Sequence, residues 1–330
     1  MLSSDDHWLW DFWIAEDEGR FHIFFLQAPR DPSDPDRRHR SATIGHASST
    51  DLSNWLPHGP VLGPGALGEF DETATWTGSV VRGPDLTWRM YYTGSRFLNG
   101  YPDLANIEAI GMATSQDLST WRKTPGLVLE ADPQWYELLG SSSWPEQAWR
   151  DPWVYRDDTT GVWHMLVTAR ANHGPDDERG VIGHATSNDL NVWQVGPPLS
   201  LPGAGFGHLE VLQLHKIRDQ WILLFSCSTE SLSESARSRG LRGGIWSLPV
   251  ENIVGPFDVA RARRVSDESL YSGRLVTTHD QESVLLAFEG TSPEGFRGAI
   301  SDPIEVSVTK TGHLTMQHHL SHLSSIGNTQ

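Results

Sequence analysis

The sequence predicts an all-β fold, a single-domain five-bladed β-propeller, and three observations carry that prediction. An eleven-residue segment recurs three times, and strand-length apolar runs recur five times at nearly even spacing. The composition, with 31 glycines, 20 prolines and 15 tryptophans, suits short strands and tight turns and disfavours helix interiors.

The segment reads GHASSTDLSNW at residues 45–55, GMATSQDLSTW at 111–121 and GHATSNDLNVW at 183–193, so the intervals are 66 and 72 residues. Each copy predicts a strand of small residues, a turn begun by Asp51, Asp117 or Asp189, and a tryptophan that closes the unit. Aspartate suits that place because its carboxylate accepts hydrogen bonds from nearby backbone N–H groups. These copies are expected to build blades and to do no chemistry. Ahead of them lie the apolar runs at residues 21–27, 88–94, 163–169, 221–227 and 283–289, whose starts are 67, 75, 58 and 62 residues apart. One more short strand precedes each, at residues 8–13, 76–82, 151–155, 209–214 and 271–277. Four short strands per unit, repeated five times, is a propeller pattern. The blades fall at roughly 1–60, 70–127, 145–199, 205–258 and 268–320. Blades four and five lack the DLxxW ending, and GGIWSLPV from Gly243 and RGAISDP from Arg297 stand in its place.

Charge and termini narrow the function. A formal charge of -17 lacks the basic footprint of a nucleic-acid binder and argues against attachment to anionic lipid. No apolar run is long enough to span a bilayer, and the N-terminus MLSSDDHWLWDFW carries acids where a signal peptide carries positive charge. With Cys227 as the one cysteine, a reducing cytoplasm is the expected compartment.

First strands line the channel of a propeller, so their side chains converge on its axis. In order they offer Asp11 in WLWDFW, Trp76 to Ser79 in TWTGS, Asp151 in WRDPW, Glu210 in HLEVLQL and Tyr271 in LYSGR. The three acids are flanked by tryptophan, leucine and valine, an environment that is costly for a carboxylate unless it is paired or used. The structural alternative is that each caps a buried loop or balances a neighbour such as Arg150.

WD-x-W near the start, W-x-GS, RDP and a lone glutamate on blade four together resemble the β-fructosidase clan. That clan holds the invertases and levanases of glycoside hydrolase family 32 and the levansucrases of family 68, with family 43 a more distant relative. Residues 10–13 are closer to the levansucrase form, and residues 21–29 (FHIFFLQAP) to the invertase continuation. Because the sequence ends about where the propeller does, the C-terminal β-sandwich of invertases is not expected. The resemblance implies Asp11 as nucleophile, Asp151 as transition-state stabiliser and Glu210 as acid/base. Glu210 would then carry a raised pKa, consistent with Leu209 and Val211 beside it, and Asp11 would stay ionised with a donor such as Ser79. Arg150, His208, Gln27 and Tyr271 would contact substrate, with Trp10 and Trp76 as the flat wall for a furanose. The chain departs from the levansucrases by placing His208 two residues before the glutamate and Val211 after it, and it lacks the Cys-Pro that follows in invertases. Those departures bear on the leaving-group side.

The expected activity is retaining cleavage of a β-fructofuranosyl bond in sucrose or a short fructo-oligosaccharide, with transfer to another sugar as a second outcome. The alternatives are an inverting arabinofuranosidase or xylosidase of the family 43 kind and a propeller that binds sugar or protein without catalysis. Segments 96–108 and 130–149 break the blade rhythm at the channel mouth, and Trp135, Tyr136 and Trp144 are candidates for a leaving-group floor. Residues 63–68 (GPGALG) contain proline and open no helix, so they form a loop and no dinucleotide site. His318, His319 and His322 read as solvated tail, so neither metal nor cofactor is expected, and a small carbohydrate is the expected partner.

Overall fold

A strand buried on both faces must be apolar without alternation, and the five long runs are of that kind. In the computed structural model, which describes residues 1–292 and 295–317, every residue of Trp163–Arg170 is buried. The second strands are Arg20–Pro29, Trp88–Phe97, Trp163–Arg170, Gln220–Cys227 and Ser283–Ser292. Each is the second member of an antiparallel sheet whose strands follow chain order. The first strands are His7–Asp17, Ala74–Arg82, Trp149–Arg156, Glu210–Ile217 and Leu270–Thr277. Thr43–Ser49, Asn106–Ser115, Gly180–Ser187 and Gly244–Val250 form the third strands of blades 1 to 4, and blade 5 divides its third strand into Gly295–Ile300 and Ile304–Val308. Short outer strands finish the blades, down to two residues at Arg122–Lys123 and Arg263–Arg264. Among the described residues no helix is long and apolar enough to cross a membrane.

Alternating residues of one strand serve two seams. Phe21, Ile23 and Phe25 pack toward blade 5 with Val284 and Leu286, whereas Phe24 and Leu26 pack toward blade 2 with Trp76 and Met90. Blade 4 repeats the arrangement, with Leu223 and Phe225 facing blade 3 and Ile222 and Leu224 facing blade 5. The core is therefore five apolar seams, one between each pair of neighbouring blades. Ring closure adds a staple at the start of the chain, where Leu2 and Ile300 exchange backbone hydrogen bonds of 2.9 Å.

The recurring turns follow the chemistry expected of them. Asp51 accepts from the Ser53 and Asn54 N–H groups at 2.9 and 2.8 Å, Asp117 from Ser119 and Thr120 at 2.9 and 2.7 Å, and Asp189 from Asn191 and Val192 at 2.8 and 2.9 Å. The next leucine in each copy takes a positive φ near 60° and drops fully buried into a seam. One element lies outside the sequence expectation. Segment 130–149 contains a short strand, Glu146–Gln147, that pairs in parallel with Asn106 and Ile107 of blade 2.

Blades 1 and 3 also bury equivalent histidine pairs. His22 Nδ1 lies 3.0 Å from His46 Nε2, and His164 Nδ1 lies 2.9 Å from His184 Nε2, each pair with stacked rings. Burial lowers the pKa of His46 to about 3 and that of His184 to about 4. The unfolded chain protonates these groups near the ordinary value of about 6.5, while the folded chain does not. Their contribution is thus neutral above that pH and turns destabilising as pH falls toward about 4. Each such histidine contributes a slope of at most about 1.4 kcal/mol per pH unit. The urea midpoint is expected to drop between pH 7 and pH 5, and His184→Phe should make that drop shallower. An equal pH slope in wild type and variant would remove the histidine pair as the cause.

Candidate active site

Five register slips build the site. Each first strand shifts against its second strand at the same level, between Trp10 and Phe12, Trp76 and Gly78, Arg150 and Trp153, Glu210 and Gln213, and Tyr271 and Arg274. A bulge bends its strand and re-aims side chains. Three bulged residues have left-handed backbones, Asp151 at φ 58°, Val211 at 54° and Ser272 at 49°. Such strain in a β-branched residue like Val211 persists only where the surroundings impose it. Gly78 answers a different need, since a Cβ there would stand 2.1 Å from the Tyr91 carbonyl oxygen. Pro152 sits inside its slip, where the ladder asks for no N–H.

The bulges gather Asp11, Thr77, Asp151 and Ser272 around the axis. Asp11 accepts a 2.8 Å hydrogen bond from Thr77 Oγ1 and another from Ser272 Oγ. Burial raises its pKa, and these two hydroxyls pull it back down. Asp151 accepts from Thr168 Oγ1 at 2.8 Å and from the strained Val211 N–H at 3.2 Å, while its own N–H donates to Thr93 Oγ1 at 2.9 Å. Burial lifts Asp151 to about 7 against the opposing pull of Arg150, with Asp11 and Glu210 adding repulsion. Glu210 is held at both oxygens, by Arg150 Nη2 at 2.6 Å and by the Tyr271 hydroxyl. Its apolar neighbours in sequence do not wall it in, because Leu209 and Val211 are buried and Leu209 belongs to the seam between blades 3 and 4. Charged and polar partners surround the carboxyl instead. Beneath the acids, Arg274 is fully buried, with Nε donating to the Phe12 carbonyl and Nη1 to those of Val211 and Leu212.

Arg150 is the hub of the pit. Its Nη1 lies 3.1 Å from Glu108 Oε2 and 3.1 Å from Glu146 Oε1, and its Nη2 lies 3.0 Å from His208 Nδ1. Its Nε is 3.7 Å from Asp151 Oδ2. Glu108 is fully buried, and desolvation raises its pKa against the opposing pull of the neighbouring guanidinium. The pit encloses about 480 Å³. Trp10 and Trp76 line it, and the Trp76 Nε1–H donates to the His39 carbonyl at 2.9 Å. The His39 ring meets both indoles edge-on, 6.0 and 6.1 Å away between centroids.

Most residues expected at the site are here. Asp11, Asp151, Glu210, Trp10, Trp76, Arg150 and His208 line the pit, and Tyr271 reaches it through Glu210. Two are not. Ser79 accepts a 3.2 Å bond from the Val154 N–H in the seam between blades 2 and 3, so Thr77 and Ser272 take the role expected of it. Gln27 turns to the third strand of its own blade, with Nε2 3.5 Å from Thr43 Oγ1. Of the candidate floor residues, Trp144 lines the pit and stacks over the Arg170 guanidinium at 3.8 Å. Tyr136 is buried in blade 3, donating to the Gly196 carbonyl, and Trp135 packs beside it. Cys227 is a buried free thiol, and His318, His319 and His322 lie outside the described residues. Sequence reading missed Thr77 and Ser272, although each directly follows a residue it had placed on the axis. It also missed His39, in a short 3-10 helix, and did not single out Glu108 and Glu146 within segments 96–108 and 130–149. Among the described residues no cluster of potential ligands could hold a metal ion.

The chain is similar to several known proteins. Over 183 residues the chain is 27% identical to the insoluble β-fructofuranosidase isoenzyme CWINV1 of Arabidopsis thaliana, 54% of this chain and 27% of that one. It is 28% identical over 184 residues to fructan 6-exohydrolase of Beta vulgaris, 55% of this chain and 27% of the relative. The matched stretch thus spans about a quarter of the length of these plant relatives. In fold, inulosucrase from Halalkalicoccus jeotgali bound to kestose superposes with a TM-score of 0.77 at 20% identity, covering 99% of this chain and 94% of that one. The β-fructofuranosidase BmSUC1 of Bombyx mori gives 0.71 at 18% identity, covering 97% and 64%. The profile of the glycosyl hydrolases family 32 N-terminal domain matches residues 11–316, from the first axial acid to the last described strand, and the chain belongs to that family.

Proposed function

We propose that the chain is a retaining glycoside hydrolase that cleaves the β-fructofuranosyl bond of sucrose or a short fructo-oligosaccharide. The observation that carries this reading is the meeting of Asp11, Asp151 and Glu210 in one indole-walled pit. The relatives named above, β-fructofuranosidase, fructan exohydrolase and inulosucrase, support a fructosyl substrate. Membership of family 32 also favours it over the family 43 alternative. A small neutral carbohydrate is then the partner, and a lone buried thiol suits a reducing compartment such as the cytoplasm.

In this reading the furanose ring lies against Trp10 and Trp76, with its anomeric carbon toward Asp11. Glu210 gives a proton to the glycosidic oxygen as that bond breaks, and Asp11 closes on the anomeric carbon to form a covalent fructosyl intermediate. The Thr77 and Ser272 hydroxyls aim Asp11 and oppose the upward push of burial on its pKa, since their hydrogen bonds favour the charged form. Asp151, fixed by Thr168 and the Val211 N–H, receives ring hydroxyls whose bonds strengthen as positive charge develops on the sugar. Water then attacks the intermediate with Glu210 as base, and a sugar hydroxyl in place of water gives transfer.

Two sets of measurements test the assignment, the first on Glu210 and the stereochemical outcome. Glu210→Ala is expected to lower sucrose turnover by about 10²–10⁴-fold, the usual contribution of a general acid, and wild-type turnover in that variant would end the assignment. The C2 shift in ¹³C NMR of the methanolysis product should be that of the β-fructoside, and an α product would mean inversion. The second concerns Asp11. Thr77→Val removes one of the two hydroxyl donors that lower its pKa, so the acid limb of kcat/KM should move to higher pH. An unmoved limb would separate Asp11 from the group that must be ionised.

A further inference from the structure

On the fructosidase reading, the leaving group occupies the Glu210 side of the pit, because Glu210 must reach the glycosidic oxygen. That wall is assembled from separate elements: Glu146 before blade 3, His208 before the first strand of blade 4, and Ser228 and Ser231 after its second strand. Glu146 has a fixed backbone, since its short strand pairs with Asn106 and Ile107. Its Oε1 lies 3.1 Å from Arg150 Nη1 and 3.2 Å from His208 Nε2, so the side chain is anchored at one oxygen. Its Oε2 makes no hydrogen bond among the described residues, and the side chain is 19% exposed. The Ser228 and Ser231 hydroxyls stand 3.1 Å apart, bonded to one another.

A carboxylate oxygen so presented accepts hydrogen bonds and donates none, and two hydroxyls of a sugar suit it. The same wall offers no uncommitted cation among the described residues. Arg150 already faces Glu108, Glu146, Asp151 and Glu210, and Arg170 is buried against Glu137 and backbone carbonyls. Arg40, elsewhere on the lining, donates to the carbonyls of Asn99 and Asp103. A phosphate on the leaving sugar would bring roughly two negative charges toward Glu146, and like charges so placed cost several kcal/mol. We propose that Glu146 is a substrate-binding residue of the leaving-group subsite, where its free oxygen holds sugar hydroxyls and its charge selects an uncharged leaving group over a phosphorylated one.

The test compares three substrates on the intact protein: sucrose, sucrose phosphorylated on the glucosyl 6-hydroxyl, and β-fructofuranosyl fluoride, whose leaving group has no hydroxyls. The wild type is expected to favour sucrose over its phosphate by at least about tenfold in kcat/KM. In Glu146→Gln the amide oxygen still accepts from Arg150 but the charge is gone, so that preference should shrink. KM for sucrose should rise more than kcat falls, and the loss in kcat/KM should be greater on sucrose than on the fluoride. Equal use of sucrose and its phosphate by the wild type overturns the assignment without any variant. So does an equal loss on sucrose and fluoride in Glu146→Gln. A wild type that cleaves neither sucrose nor the fluoride removes the fructosidase reading itself, and this assignment with it.

Discussion

The pit holds more carboxyl groups than its cations can neutralise, and the rest of the site follows from that imbalance. Asp151, Glu210, Glu108 and Glu146 crowd around Arg150, while Asp11 feels Glu210 and the buried Arg274. In a buried setting the cost of this crowding is met in several ways at once. Hydroxyls and one backbone N–H serve Asp11 and Asp151, a phenol and a guanidinium serve Glu210, and the Trp149 N–H and the same guanidinium serve Glu108. Burial works against the charge of Arg150, yet the surrounding carboxylates outweigh it and hold its pKa well above the ordinary value. Burial raises the pKa of both Asp11 and Asp151, opposed at Asp11 by the two hydroxyl donors and at Asp151 chiefly by Arg150.

A ring of nearly equivalent strands creates the crowding and also sorts it. All five first strands carry the slip, so the fold alone does not decide which blades supply acids. The residue at the slip decides. Aspartate appears there in blades 1 and 3, while threonine and serine appear in blades 2 and 5 and both donate to Asp11. Blade 4 places Glu210 just ahead of its slip and uses the backbone of the slip residue Val211, its N–H toward Asp151 and its carbonyl toward Arg274. A valine at positive φ has no packing reason to exist, and its hydrogen bond to Asp151 supplies one.

How much of this was legible in the sequence depends on the range of the interaction. The DLxxW turns, the uninterrupted apolar second strands and the order of first strands are local signals, and they give the blades and the three acids. Ser79 was a reasonable choice for an Asp11 donor from proximity in W-x-GS. On a strand of period two, however, the bulge puts Thr77 on the axis and leaves Ser79 in the seam. Gln27 fails similarly, since its neighbour Leu26 lines the pit while Gln27 itself turns to Thr43 of the third strand. Glu108 and Glu146 reach Arg150 from the third strand of blade 2 and from the segment paired with it. Nothing in one sequence links those positions, because the pairing that brings them together is itself a product of the fold.

The blades without the DLxxW ending show where regularity is needed. In blades 1 to 3 the leucine and tryptophan of that ending plug the outer part of a seam. Blade 4 fills the corresponding space with Phe257 and Val259, and blade 5 divides its third strand and receives Leu2 from the start of the chain. Apolar volume at a seam can come from any segment that reaches it, because burial has no direction. Hydrogen bonds to a carboxylate are directional, so the inner level admits no such substitution. The slip accordingly recurs in all five first strands while the outer strands vary from seven residues to two. The propeller is irregular at its rim and regular at its axis because only the axis must hold charged oxygen atoms in place.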